Sequence, residues 1–103
     1  MNENVLVRAS IDGGLTWPAG RVAQLNTTSD AGRYMPWSCA VGGTAYVTWY
    51  DRRFALPGIT TDFTDFFAGS AKLDAGNNLL AGSQLRVSSV SDAACASGWP
   101  CAP

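Results

Sequence analysis

The segment Ser10-Ile11-Asp12-Gly13-Gly14-Leu15-Thr16-Trp17 fills every fixed position of an S-x-D-x-G-x-T-W pattern, and it leaves little choice about what flanks it. Asp12 offers a carboxylate to backbone N–H groups a few residues on, and the hydroxyls of Ser10 and Thr16 do the same more weakly. Gly13-Gly14 provides the positive φ of a tight reversal. Val5-Leu6-Val7-Arg8-Ala9 before the turn and Arg21-Val22-Ala23-Gln24-Leu25 after it are rich in β-branched and aliphatic residues. The expectation is a β-hairpin.

Composition narrows the class further. A chain of 103 residues fits one modest domain, burying about 60 to 65% of its unfolded surface. Charged residues make up 15%, the net charge is −1 and histidine is absent. Such a chain presents no basic stripe for nucleic acid and no footprint for an anionic membrane. Without histidine it supplies neither a Ser-His-Asp nor a Cys-His site. No cofactor and no metal site is implied. Met1-Asn2-Glu3-Asn4 opens with no basic segment leading into an apolar run, so no signal peptide is expected in this chain, and no stretch has the length of a membrane span.

A worn copy of the first motif lies at Ser70-Ala71-Lys72-Leu73-Asp74-Ala75-Gly76-Asn77-Asn78. Ser70, Asp74 and Gly76 are retained, one residue is inserted, and the closing Thr-Trp is lost. The two serines are 60 positions apart, a workable length for a four-stranded unit, since known blade repeats run from about 40 to 50 residues. Between the motifs, Pro36–Val41 and Thr44–Tyr50 read as strands joined at Gly42-Gly43. Tyr46, Thr48 and Tyr50 are expected on one face, with Val47 and Trp49 on the other. Phe54–Thr61 reads as a loop, Asp62–Ser70 and Ser83–Ser89 as further strands. No helical periodicity is sustained. The expected fold is all-β, antiparallel, with six strands forming about one and a half four-stranded units. Residues 1–29 supply a half unit, 30–90 a full one, and 91–103 the start of the next.

The first motif resembles the Asp box (BNR repeat) of sialidase-like β-propellers. Arg33-Tyr34-Met35-Pro36-Trp37, followed by Tyr46-Val47-Thr48-Trp49-Tyr50-Asp51-Arg52-Arg53 and then Asp65-Phe66-Phe67-Ala68-Gly69-Ser70, is similar to the motif order of secreted bacterial BNR-repeat proteins. The likeness extends from about Val5 to Cys101 and is more specific for fold than for substrate. It implies six- or seven-bladed propellers in complete relatives, which cleave terminal sialic acids or bind glycans or proteins. In that family Ser10, Asp12, Gly14, Thr16 and Trp17 are structural, with Trp17 a plug between the hairpin strands.

Sialidases resemble one another in a three-arginine carboxylate clamp, a tyrosine nucleophile helped by a glutamate, and an aspartate acid/base. A guanidinium fork suits the clamp because it binds a carboxylate bidentately. Here the only glutamate is Glu3, and Arg33 stands three positions before Pro36 where the family's first clamp arginine stands two before proline. The full set cannot be assembled from one copy. The expected function is therefore a non-catalytic propeller piece that recognises carbohydrate or serves as an assembly module. The alternative is a sialidase-type glycoside hydrolase whose site forms between chains.

Candidate ligand-binding residues are Arg33, Tyr50, Asp51, Arg52 and Arg53, since a strand end with an aromatic ring, a carboxylate and guanidiniums suits a sugar. A strand-end ion pair of Asp51 with Arg52 or Arg53 is the competing reading and the favoured one. Trp37 and Trp49 are expected in the core, Cys39 as a small buried residue, and Asp62 and Asp65 on a solvated edge. Cys95 and Cys101 enclose a short turn-forming loop that a disulfide would close in an exported protein. A partial propeller leaves open edges and an uncovered blade face, so a homo-oligomer is expected. Four copies would supply about 24 strands, the number in six four-stranded blades, and three copies with tail strands are an alternative. A small sandwich of two packed sheets is the competing architecture.

Overall fold

The computed structural model describes residues 3–27, 32–54, 63–89 and 92–93. The Cys95 and Cys101 pair, Asp62, the loop beyond Phe54 and all of the tail from residue 94 lie outside the described residues. Among the described residues eight strands follow in order: β1 (Leu6–Arg8), β2 (Val22–Gln24), β3 (Arg33–Val41), β4 (Thr44–Asp51), β5 (Phe63–Leu73), β6 (Leu79–Ala81), β7 (Leu85–Arg86) and β8 (Asp92–Ala93). Every pairing is antiparallel. No helix occurs among the described residues, so the chain is all-β as its periodicity indicates.

β1 and β2 pair around the Ser10–Trp17 turn, Val7 opposite Ala23. The larger sheet is a meander in the order β3-β4-β5, and the far edge of β5 is shared end to end by β6, β7 and β8. Gly42 and Gly43 join β3 to β4 in a two-residue turn, both at positive φ (58° and 82°), the geometry that matches strand twist in a tight hairpin. β5 runs three residues beyond the expected Ser70, so the following reversal is confined to Asp74–Asn78.

The β1–β2 hairpin lies on one face of this sheet. Val5, Ala23 and Leu25 from the hairpin side form a single core with Val47, Trp49, Phe67 and Ala71, and Val7 and Leu79 pack at its margin. Trp49 is fully buried, and a side chain of this size contributes about 3 kcal/mol by leaving water. Gly69 makes room for it: a Cβ there would stand 3.2 Å from the indole and 3.4 Å from Leu25. The alternation expected for β4 holds, with Val47 and Trp49 buried while Tyr46 and Tyr50 are exposed.

Trp37 and Cys39 correct the sequence reading: beyond Arg33 every residue of β3 is exposed, on both faces, because nothing among the described residues covers this strand. Tyr34 pairs with Tyr50 but Trp37 pairs with Thr48, so β3 carries one extra residue between them, with Met35 at φ 54°. A bulge of this kind reverses which face every later residue addresses. Trp37, expected in the core, is 80% exposed, and Cys39 is an exposed free thiol opposite Tyr46.

Candidate functional site

Asp51 ends β4 fully buried and collects the charged residues that the sequence singles out. Its Oδ1 accepts hydrogen bonds from the backbone N–H (2.8 Å) and Nε (3.0 Å) of Arg53. Its Oδ2 accepts from Arg33 Nε (2.7 Å), Trp49 Nε1 (2.9 Å) and Arg53 Nη2 (2.7 Å). Arg33 is itself buried and also donates through Nη1 to the Glu3 carbonyl at 3.1 Å. Arg53 reaches Gln84 Oε1 at 2.9 Å and lays its guanidinium 3.8 Å from the Phe67 ring centre. Gln84 in turn donates to Thr27 Oγ1. Burial pushes the Asp51 carboxyl up, but the bonds donated by Arg53 and Trp49 outweigh it and hold the group at about 2.

The favoured strand-end ion pair is thus present with Arg53, one of the two expected partners, and Arg33 joins it. It sits in the interior rather than at the loop surface. Two of the candidate ligand-binding arginines are engaged in holding a carboxylate. Arg52 contributes its backbone N–H to the Gly32 carbonyl at 3.0 Å, tying the end of β4 to the start of β3.

Asp65 corrects a second expectation. It lies directly opposite Asp51 across the β4–β5 ladder and is 1% exposed, not on a solvated edge. Arg86 of β7 bonds it through Nη2 at 2.7 Å and Nε at 2.9 Å, and the Ser88 hydroxyl donates to it at 2.8 Å. Two buried carboxylates side by side are tolerable only when each has its own cations, and here the strand register brings those cations from opposite sides.

The opposite face of the sheet is aromatic and open. Tyr34 stacks on Tyr50 with ring centres 5.4 Å apart, and Tyr50 meets Phe66 at 5.2 Å. Trp37, Tyr46 and Leu85 are more than half exposed on the same side. Tyr50 is the one candidate binding residue placed on this surface. Beside Tyr46, a hollow of about 430 Å³ is edged by Ser70, Lys72 and Leu80.

The two turns share a bonding plan. In the first, Asp12 Oδ1 accepts from the Thr16 N–H (2.9 Å) and the Ser10 hydroxyl (2.6 Å), Asp12 Oδ2 accepts from the Thr16 hydroxyl, and Ser10 Oγ accepts from the Gly14 N–H (2.9 Å). In the second, Asp74 Oδ1 accepts from the N–H of both Gly76 and Asn78 at 2.9 Å. Hydroxyl bonds from Ser10 and Thr16 pull the Asp12 carboxyl well below its ordinary range, and Asn78 lowers that of Asp74. Trp17 is not a plug between strands. It is 53% exposed and donates from Nε1 to the Gly14 carbonyl at 3.1 Å, capping the turn.

Matching Asp12 to Asp74 and Thr16 to Asn78 sets the repeat at 62 residues and leaves Ser70 outside the second turn, where its carbonyl accepts from the Gly82 N–H at 2.7 Å. In this register the repeat needs no insertion, and 11 of the 33 residues from Ala9 to Val41 are identical to those from Ala71 to Pro103. They include Ala19-Gly20 with Ala81-Gly82, Ser29-Asp30-Ala31 with Ser91-Asp92-Ala93, and Trp37 and Cys39 with Trp99 and Cys101. Searches of family models, curated proteins and solved structures find no match to the chain.

Proposed function

We propose that the chain is a non-catalytic repeat module of the sialidase-like, BNR-repeat type, and that its work is assembly: each 62-residue unit offers one sheet face for another unit to cover. The observation that carries this reading is the contrast between the sheet's two faces, one covered along β4 and β5 by the β1–β2 hairpin and the other exposing Trp37, Tyr46 and Tyr50. Aromatic patches of this kind mark interaction surfaces. The engagement of Arg33 and Arg53 with Asp51 supports the non-catalytic side, because a clamp arginine must present its fork to substrate.

Light scattering across micromolar concentrations tests assembly. The expected result is a mass above that of one chain, rising with concentration; a compact monomer throughout overturns it. Carbohydrate recognition is the second reading, favoured by Tyr46 standing beside Lys72 and Ser70 at the hollow, where a ring and polar groups suit a sugar. Its sign would be saturable glycan binding, without turnover of a sialoside, that is lost in Tyr46→Ala.

A further inference from the structure

The two turns keep the same aspartate but differ at the residue after it. In the first Asp12 is followed by Gly13, and in the second Asp74 is followed by Ala75. That difference decides what the carboxyl group can do to its own backbone. When the nitrogen that follows an aspartate attacks the side-chain carboxyl carbon, a cyclic imide closes, the nitrogen gives up its proton, and water leaves. Water then returns to either carbonyl carbon. Opening at the side-chain carbonyl restores aspartate, whereas opening at the backbone carbonyl leaves the chain running through the side chain, as isoaspartate, with no net change in atoms. Glycine hinders the attacking nitrogen least, since no Cβ stands beside it. Gly13 is exposed in the turn, and nothing lies within 4 Å of the place a Cβ would take.

Ring closure makes two demands that the folded turn denies. The carboxyl group has to be protonated, so that its oxygen leaves as water, and it has to turn freely toward the nitrogen. In the hairpin both oxygens are tied. Oδ1 accepts from the Ser10 hydroxyl at 2.6 Å and from the Thr16 N–H at 2.9 Å, and Oδ2 accepts from the Thr16 hydroxyl. The same hydroxyl bonds favour the ionised group and hold it well below its ordinary range, and each unit of lowering cuts the reactive protonated fraction about tenfold. We propose that Asp12–Gly13 is a latent self-modification site, converting to isoaspartate when its turn opens, and that the Ser10 and Thr16 hydroxyls guard it. The product puts one more backbone carbon into the turn that joins β1 to β2, and moves the carboxylate away from Thr16. Isoaspartate therefore loosens the hairpin that brings Val5, Ala23 and Leu25 to the core. None of this depends on whether the outer face assembles.

The test compares the 103-residue protein, after prolonged warm incubation, with a synthetic peptide of residues 9–21, which carries the same dipeptide without the hairpin. Trypsin, cutting after Arg8 and Arg21 and after Lys72 and Arg86, gives one fragment for each aspartate. Isoaspartate in either fragment is counted by its chromatographic shift at unchanged mass. The expected result is that Asp12 in the folded protein converts more slowly than in the peptide by about tenfold or more. Thr16→Val should move the folded protein toward the peptide's rate, and Thr16→Ser, which restores the hydroxyl, should stay with the parent. Ser10→Ala takes the place of Thr16→Val if that variant fails to fold. In urea, with both turns open, the Asp12 fragment should convert faster than the Asp74 fragment. The proposal is overturned by a folded parent that keeps pace with the peptide, by a folded hydroxyl-deleted variant as slow as the parent, or by an Asp74 fragment that converts as fast as the Asp12 fragment in urea.

Discussion

The two faces of the β3-β4-β5 sheet come from the same alternating strands, yet they meet opposite fates. On the inner face the alternate residues of β4 are Val47, Trp49 and Asp51, all buried, and those of β5 include Asp65, Phe67 and Ala71. On the outer face the intervening residues, Tyr46, Tyr50 and Phe66 among them, form a ladder of rings open to water. Two aspartates are buried inside among Trp49 and Phe67, while a second set of rings stays outside, which is not the apolar-in, polar-out division that a two-faced sheet ordinarily shows. The inner face tolerates its charges because every bond Asp51 can accept is made within the fold. The outer face, in contrast, keeps apolar surface that no other element among the described residues covers. Stability should therefore be concentrated on one side and association on the other.

Asp51→Ala should break the inner face most severely. It leaves Arg33 and Arg53 facing each other with their shared counter-charge gone, one of them fully buried, and removal of one partner from a buried ion pair costs about 3 to 5 kcal/mol. In a domain whose total stability is of the order of 5 to 15 kcal/mol, the variant should be unfolded or melt far below the parent chain in urea titrations. A loss under 1 kcal/mol would mean that the network is ornamental and that the arginines are available to a ligand.

Acid should weaken the same face by a smaller step. The Asp51 carboxyl is held at about 2 in the fold, against about 4 in an unfolded chain. A lowered folded value means that the group's contribution is complete above about pH 4 and disappears as pH falls through about 2. The contribution is about 2 to 3 kcal/mol. Unfolding free energies measured from pH 5 to pH 2 should fall more steeply for the parent than for Asp51→Asn, which has no proton to gain. Parallel curves would place the pH dependence elsewhere.

Much of this contrast was legible in the chain itself, and the parts that were not have a common cause. The hairpin turns could be read because their chemistry is local: Asp12 serves Thr16 and Asp74 serves Asn78 four residues on. The alternation of β4 was readable for the same reason. What escaped depended on partners distant in sequence, or on their absence. Asp65 looks like a solvated edge until Arg86 arrives from 21 residues away. Trp37 and Cys39 look like core in an apolar run, but β3 is exposed on both faces beyond Arg33, and whether a neighbouring element covers a strand is not written in the strand itself. The repeat register is set by the aspartates and not by the serines, because Asp74 makes the second turn and Ser70 does not.

Trp37→Ser should have the smallest effect on folding and the clearest effect on the comparison. Its ring is 80% exposed, and a substitution at so open a position changes stability by about 0.5 kcal/mol or less. If the outer face is reserved for a neighbour, the same change should lower the weight-average mass at fixed concentration while the urea midpoint stays put. A variant that loses stability and keeps its mass would reverse the assignment. The bulge at Met35 would then be a device for packing Trp37 within the chain, and the outer face would be part of the fold's own core.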